Sequence, residues 1–296
     1  MAHSCGVPAA IFKLFYPRVG YVLSLQEGDP IEYIEKTVRS VWPLFKRAFR
    51  VADVIQPISS FLADWARRMN PSAHVETIPN GASTASGKDF PSEELSALKR
   101  QVGKSDGDIL LVSVSRLVLK NGIDTIIRSL PLLPRHIKLL VVGEGPDEKL
   151  FRDLAAELSV TERVVFTGHV DRTMTAKYRK ISDIFVRPSR SEGQGISFLS
   201  TMLSGLPMIA TQEGGIADIL FDKKRNPEKP TTGWAVDVES HEQIVAAVKD
   251  ILSNPEEVKV VTENAKKFAQ EEFDWDNIVR RMRERVFGAV LQGFTK

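Results

Sequence analysis

The residues best suited to chemistry lie between Arg187 and Asp218, in the stretch RPSRSEGQGISFLSTMLSGLPMIATQEGGIAD. Glu192 opens a short loop, Gly193–Gln194–Gly195. Apolar residues at helical spacing follow (Ile196, Leu199, Leu203), and Gly205 is placed to stop that helix. A glycine-bracketed loop opening a helix at the end of a strand is an anion site. Its backbone N–H groups point outward and the helix dipole favours a phosphate. A carboxylate repels phosphate, so Glu192 makes sense there if it binds something beside the phosphate, such as a sugar hydroxyl. Two cations, Arg116 and Lys120, follow another strand in VSRLVLKNGIDTIIRSL.

Those groups need elements to hold them. The run Asp183–Val186 reads as a strand ended by Pro188, which cannot continue a central strand. Met208–Thr211 reads as a buried strand running into Gly214–Gly215. Upstream, strands Ile109–Val114, Lys138–Val142 and Arg163–Thr167 alternate with helices Gly122–Leu132, Asp147–Leu158 and Thr173–Lys180. Such alternation implies a parallel, doubly wound α/β sheet. Gly233–Val236 and helices Ser240–Leu252, Pro255–Glu271 and Trp275–Leu291 complete this part. The first third carries strands Gly20–Leu25, Val51–Ile58 and His74–Ile78. A helical stretch Ile31–Arg50 breaks at Pro43, a helix capped by Ser59–Ser60 runs to Met69, and Pro79–Asn80–Gly81 marks a turn. The polar segment from Ala82 to Asp108 is read as the boundary between two domains.

The stretch SEGQGISFLSTMLSGLPMIATQEGG resembles the signature of retaining GT-B glycosyltransferases of the group 4 type, S-E-G-F-G-x-x-x-L-E-A-M-A-x-G-x-P-V-I-A-T-x-x-G-G. The resemblance implies two Rossmann-like domains facing a cleft. An acceptor domain would span residues 1–88, with the last helix, 275–296, packing back on it. A donor domain would span 107–274. It further implies transfer of a hexose from a nucleotide-diphosphate sugar to a glycan or lipid-linked acceptor, with retention and without a metal or other cofactor. Arg116 and Lys120 would neutralise the departing diphosphate, and Glu192 would hold donor-sugar hydroxyls. The backbone of Gln194, Gly195 and Ile196, with Gly215 beyond it, would receive the phosphate. Val170 would pack on the base and position 200 would face the ribose. The sequence departs from the family at three places. Ser200 replaces the second glutamate of the pair, Asn121 precedes Gly122 where the family has lysine, and Gln26 stands where many relatives carry histidine. The first domain also lacks the family's N-terminal glycine-rich loop. The expectation is a truncated product, a fragment, or one part of a split enzyme whose partner supplies the missing half. The alternatives are a nucleotide-sugar-binding subunit with impaired catalysis and an epimerase of the same fold.

Other features bound the reading. The 296 residues are 43% hydrophobic and 26% charged, values of an ordinary globular protein, and their net charge of +2 gives no bulk attraction to nucleic acid. A single cysteine, Cys5, fits a reducing compartment. No apolar run approaches the ~20 residues of a membrane span, and the expected location is cytoplasmic, in cell-envelope polysaccharide synthesis. Residues 38–50, VRSVWPLFKRAFR, mix basic and apolar side chains. They read either as a contact with an anionic membrane face or as a helix packed on its own sheet. Glu27 and Asp29 are candidate binders of acceptor hydroxyls or plain loop carboxylates. Asp106–Gly107–Asp108 and Asp274–Trp275–Asp276 spell a metal motif of the other glycosyltransferase fold, but the first lies in the linker and the second caps the last helix. Residues 81–89 fail the spacing of a P-loop, and the five histidines lack metal spacing.

Overall fold

A computed structural model describes residues 2–82 and 89–293, with side chains for 5–82 and 89–291. The expected linker residues 83–88 and the chain end at 294–296 lie outside the described residues. Two parallel sheets organise the chain, one of two strands and one of six.

The larger sheet contains β3 (Ile109–Val114), β4 (Ile137–Val142), β5 (Val164–Phe166), β6 (Ile184–Arg187), β7 (Met208–Ala210) and β8 (Trp234–Ala235). They lie side by side in the order β5-β4-β3-β6-β7-β8, all parallel. The chain runs outward from β3 to one edge, returns, and runs from β6 to the other. That reversal makes the β3–β6 seam the switch point, where doubly wound sheets hold ligands beyond the strands' carboxyl ends. Parallel strands must be covered on both faces, and alternate side chains serve the two layers. Leu111, Leu139 and Ile184 meet α6 (Ile123–Ser129), α7 (Glu148–Glu157) and α10 (His241–Ser253). Leu110, Leu140 and Phe185 meet α5 (Ser92–Gln101), α8 (Arg172–Ile181), α9 (Ile196–Ser204) and α11 (Pro255–Glu272).

The smaller sheet pairs β1 (Val22–Leu25) with β2 (Val54–Pro57). One face packs on α2 (Ile31–Thr37), α3 (Trp42–Arg50) and α4 (Ser60–Met69), where Phe45, Phe49 and Trp65 form an aromatic cluster. On the other face Val54 and Ile78 meet Ile278 and Val286 of the terminal helical segment. That segment is α12 (Trp275–Arg281), a π-helical turn at Met282–Phe287, and α13 (Gly288–Gly293). Arg281 also donates to Thr77 O at 3.1 Å.

Local chemistry sets the boundaries. Ser59 caps α4 by accepting from Leu62 N, and Asp274 caps α12 by accepting from Asp276 N and Asn277 N. Gly205, at φ +71°, ends α9. Two expectations need correction. The break in 31–50 falls at Val38, and Pro43 instead lies in the first turn of α3, where its missing N–H costs nothing. His74–Ile78 is no full strand. Val75 makes one parallel bridge to Ile55, and Glu76 N donates to Ile55 O at 3.0 Å. The first residues form α1 (Ala2–Phe15), which packs on α3. The apolar face of 38–50 is turned inward, with Phe45 and Phe49 fully buried. The D-x-D at 106–108 is part of a turn, with Asp108 paired to Lys138 at 2.7 Å and accepting from Ser105 N.

Candidate functional site

At the carboxyl ends of β3, β4 and β5 lies an open cavity of about 730 Å³. Arg116 leaves β3 at its rim and is exposed; Val170, half-buried, forms part of its wall with His169 and Thr175. Its floor is backbone from three loops. Leu117 N donates to Glu144 O at 2.9 Å, and Gly143 N to Gly168 O at 3.1 Å. Glu144 and Glu148 bring carboxylates to the walls.

A second cluster forms at the β3–β6 seam, where the two sheets face each other. Arg187 ends β6 with its guanidinium buried. It donates to Glu192 Oε2, to Ser197 Oγ at 2.7 Å and to Asn121 Oδ1 at 3.0 Å, and it lies 5.0 Å from the Phe198 ring centre. Burial pulls Arg187 below the usual guanidinium range, while Glu192 pushes the other way. Asn121 also donates to Arg116 O at 2.7 Å, so one buried amide joins the loops that carry the two arginines. The second oxygen of Glu192 accepts from Gly193 N at 3.0 Å.

Lys120 reaches across to the loop after β1. Its ammonium donates to Gly28 O at 2.7 Å and to Asp29 Oδ1 at 2.8 Å, and Ser191 Oγ donates to Gly28 O at 3.2 Å. A methyl group added at Gly28 would lie 3.3 Å from Glu192 Oε1 and 3.4 Å from Lys120 Nζ. Three segments distant in sequence thus meet at one point. The approach depends on bare backbone: a Cβ on Gly193 would strike Glu27 O, and one on Gly215 would strike Gly193 O and sit 2.8 Å from Ser59 Cβ. Beside them Asp218 accepts from Ser60 N at 2.7 Å and from Ser60 Oγ. Arg190 clamps the loop from below through both oxygens of Asp124, at 2.9 and 2.7 Å. That pair raises Arg190 against the effect of burial, helped by Glu239.

The structure brings Lys120, Glu192 and Gly195 to the seam and puts Arg116 and Val170 on the cavity. Gly195 caps α9, Ile196 on its first turn is half exposed, and Ser200 lies buried one turn on. The Gln194 side chain is taken up elsewhere, accepting from Asn80 N at 2.8 Å and donating to Asn80 O at 3.0 Å. Gly215 N is bonded to Glu192 O at 2.9 Å. Glu27 is buried and accepts from Gln26 N, whereas Asp29 faces Lys120. Sequence reading missed Arg187. A basic residue closing an apolar strand just before a proline was the available signal. Asn121 was read only as a departure from a pattern. Among the described residues no group of His, Cys, Asp and Glu could hold a metal ion, and no helix is long and apolar enough to cross a membrane.

Residues 96–268 match the family described as Glycosyl transferases group 1. The chain is 29% identical over 264 residues to a GDP-mannose-dependent alpha-(1-6)-phosphatidylinositol monomannoside mannosyltransferase of Mycolicibacterium smegmatis, covering 84% of this chain and 67% of that protein. To the Mycobacterium tuberculosis protein of the same description it is 27% identical over 248 residues, covering 80% of this chain and 62% of that protein. The chain therefore spans about two thirds of the length of these relatives. Among solved structures, Anabaena Alr3699/HepE in complex with UDP-glucose superposes with a TM-score of 0.84 at 20% identity, over 97% of this chain and 77% of that one. A likeness at that identity speaks for the fold, which is of the expected GT-B type.

Proposed function

The chain belongs to the Glycosyl transferases group 1 family, and from that premise we propose that it moves a hexosyl group from a nucleoside-diphosphate sugar to a glycan or lipid-linked acceptor. The anomeric carbon leaves the distal phosphate oxygen and bonds to the acceptor oxygen, with retention of configuration. The acceptor proton passes to the departing phosphate. Charge building on the diphosphate is met by Arg116, Lys120 and the N-terminus of α9 in place of a metal ion. Glu192 orients the sugar, and Val170 borders the base. The observation that carries this reading is the meeting of Glu192 and Lys120 at Gly28, across the gap between the two sheets.

A radiolabelled-donor assay with UDP-glucose and GDP-mannose tests it, scoring transfer and donor hydrolysis. Glu192→Ala and Arg116→Ala should each abolish most turnover; unchanged transfer in both would sink the site assignment. A second reading, a nucleotide-sugar-binding subunit that needs a partner chain, is favoured by Ser200 at the ribose position and by the two-stranded first sheet. Calorimetric binding of UDP or GDP without turnover would select it.

A further inference from the structure

Arg187 has no assigned part in that reaction, yet its surroundings are built around it. It closes a strand whose other residues, Ile184, Phe185 and Val186, are fully buried. A cation taken into such an interior is costly unless an opposite charge meets it. Of its hydrogen-bond partners Glu192, Ser197 and Asn121, only Glu192 is charged. Its Nε is buried with no partner among the described residues, so the position is not explained by saturated hydrogen bonding. Ser197 and Asn121 fix the plane of the guanidinium, and the plane delivers it to Oε2 of Glu192. The other oxygen, Oε1, stays on the side of Gly28 and Lys120.

This arrangement answers a conflict present in the sequence. A bare carboxylate at the mouth of a helix N-terminus would repel the phosphates that the helix and Lys120 attract. We propose that Arg187 is a positioning residue that neutralises Glu192 from the interior side, so that a carboxylate can face the donor sugar without weakening the hold on the diphosphate. Arg187 and Lys120 then stand against the carboxylates of Glu192 and Asp29, and without Arg187 the group would be left net negative. The inference rests on the nucleotide-sugar reading of the site.

The test is a double-mutant cycle of Arg187→Gln, Glu192→Gln and the two combined, read by calorimetric binding of UDP and GDP and by thermal unfolding. Arg187→Gln should weaken binding of the accepted nucleotide by about 10-fold or more, because the carboxylate is left unopposed. Adding Glu192→Gln should recover most of that loss, and Arg187→Lys should lie between wild type and Arg187→Gln. Unfolding temperature should follow the same pattern, low in Arg187→Gln and partly restored in the double variant. A double variant as weak and as labile as Arg187→Gln would overturn the proposal by showing a merely structural arginine. So would wild-type affinity in Arg187→Gln. A wild-type chain that binds neither nucleotide would instead overturn the functional reading, and the unfolding arm would still decide whether Arg187 serves Glu192.

Discussion

The two sheets bury their faces by unequal means. In the six-stranded sheet β3, β4 and β6 are covered on both sides by helices from neighbouring sequence, α6, α7 and α10 on one face and α8 and α9 on the other, with α5 and α11 adding to the latter. The two-stranded sheet has local helices on one face only. Its second face is closed by the segment after Trp275, which arrives from beyond the whole of the larger sheet. A lone pair of strands is marginal in water. The smaller sheet therefore depends on long-range contacts in a way the larger one does not.

That contrast can be broken at the interlocked loops. Gly215→Ala places a methyl against Gly193 O and Ser59 without asking for an unusual backbone angle. It should cost roughly 2–4 kcal/mol in denaturant unfolding. Native-state hydrogen exchange in this variant should accelerate first in β1 and β2, with β3 and β4 keeping their protection; uniform acceleration would mean that the two sheets unfold as one unit. Next, Gln194→Ala strips both partners from Asn80 and should cost about 1–3 kcal/mol, again felt first in the smaller sheet.

Alkaline pH separates the halves by another route. Burial, reinforced by the nearby Cys5, pushes Tyr21 up to about 12 from 10.0, and its hydroxyl has no partner among the described residues. Folding therefore favours the protonated phenol. The stability it contributes is complete below pH 10 and is lost as pH rises toward about 12. Tyr21→Phe should raise the midpoint of alkaline unfolding, and by more than Tyr178→Phe on α8, which packs on the larger sheet, where burial alone raises the phenol. The smallest effect is expected at Asp29→Asn. The Lys120–Asp29 pair is partly exposed, so its loss should cost about 0.2–1 kcal/mol and less in high salt. The same change frees Lys120 and should tighten UDP or GDP binding.

What the sequence discloses follows the range of the chemistry involved. The caps at Ser59 and Asp274, the stop at Gly205 and the alternation of strands and helices are set by near neighbours and by period, and all were legible. The glycine-bracketed loop Glu192–Gly195 that opens α9 was legible for the same reason. Asn121 was not, because its meaning lies in Arg187, 66 residues away. Nor was the engagement of Lys120, since Asp29 is 91 residues earlier. The membrane-like pattern of 38–50 arises because a helix facing Trp65 and a helix facing lipid need the same apolar stripe. Of Gln194 the backbone was read, as a phosphate donor; its side chain was left unread and serves Asn80, because a primary amide can donate and accept at once.

That last pairing bears on how the molecule ages. Asn80 and Gly81 form the dipeptide in which the following peptide nitrogen most readily attacks the asparagine side chain, giving a succinimide and then a mixture of aspartate and isoaspartate. The attack needs the backbone to swing. Here Gln194 grips both the N–H and the C=O of Asn80, the N–H of Ala82 beyond Gly81 is tied to Phe273 O at 2.8 Å, and the Trp275 ring lies 2.6 Å from where a side chain on Gly81 would begin. The closed arrangement opposes that swing at residue 80, so the contact between the two halves also slows the chemical ageing of this bond.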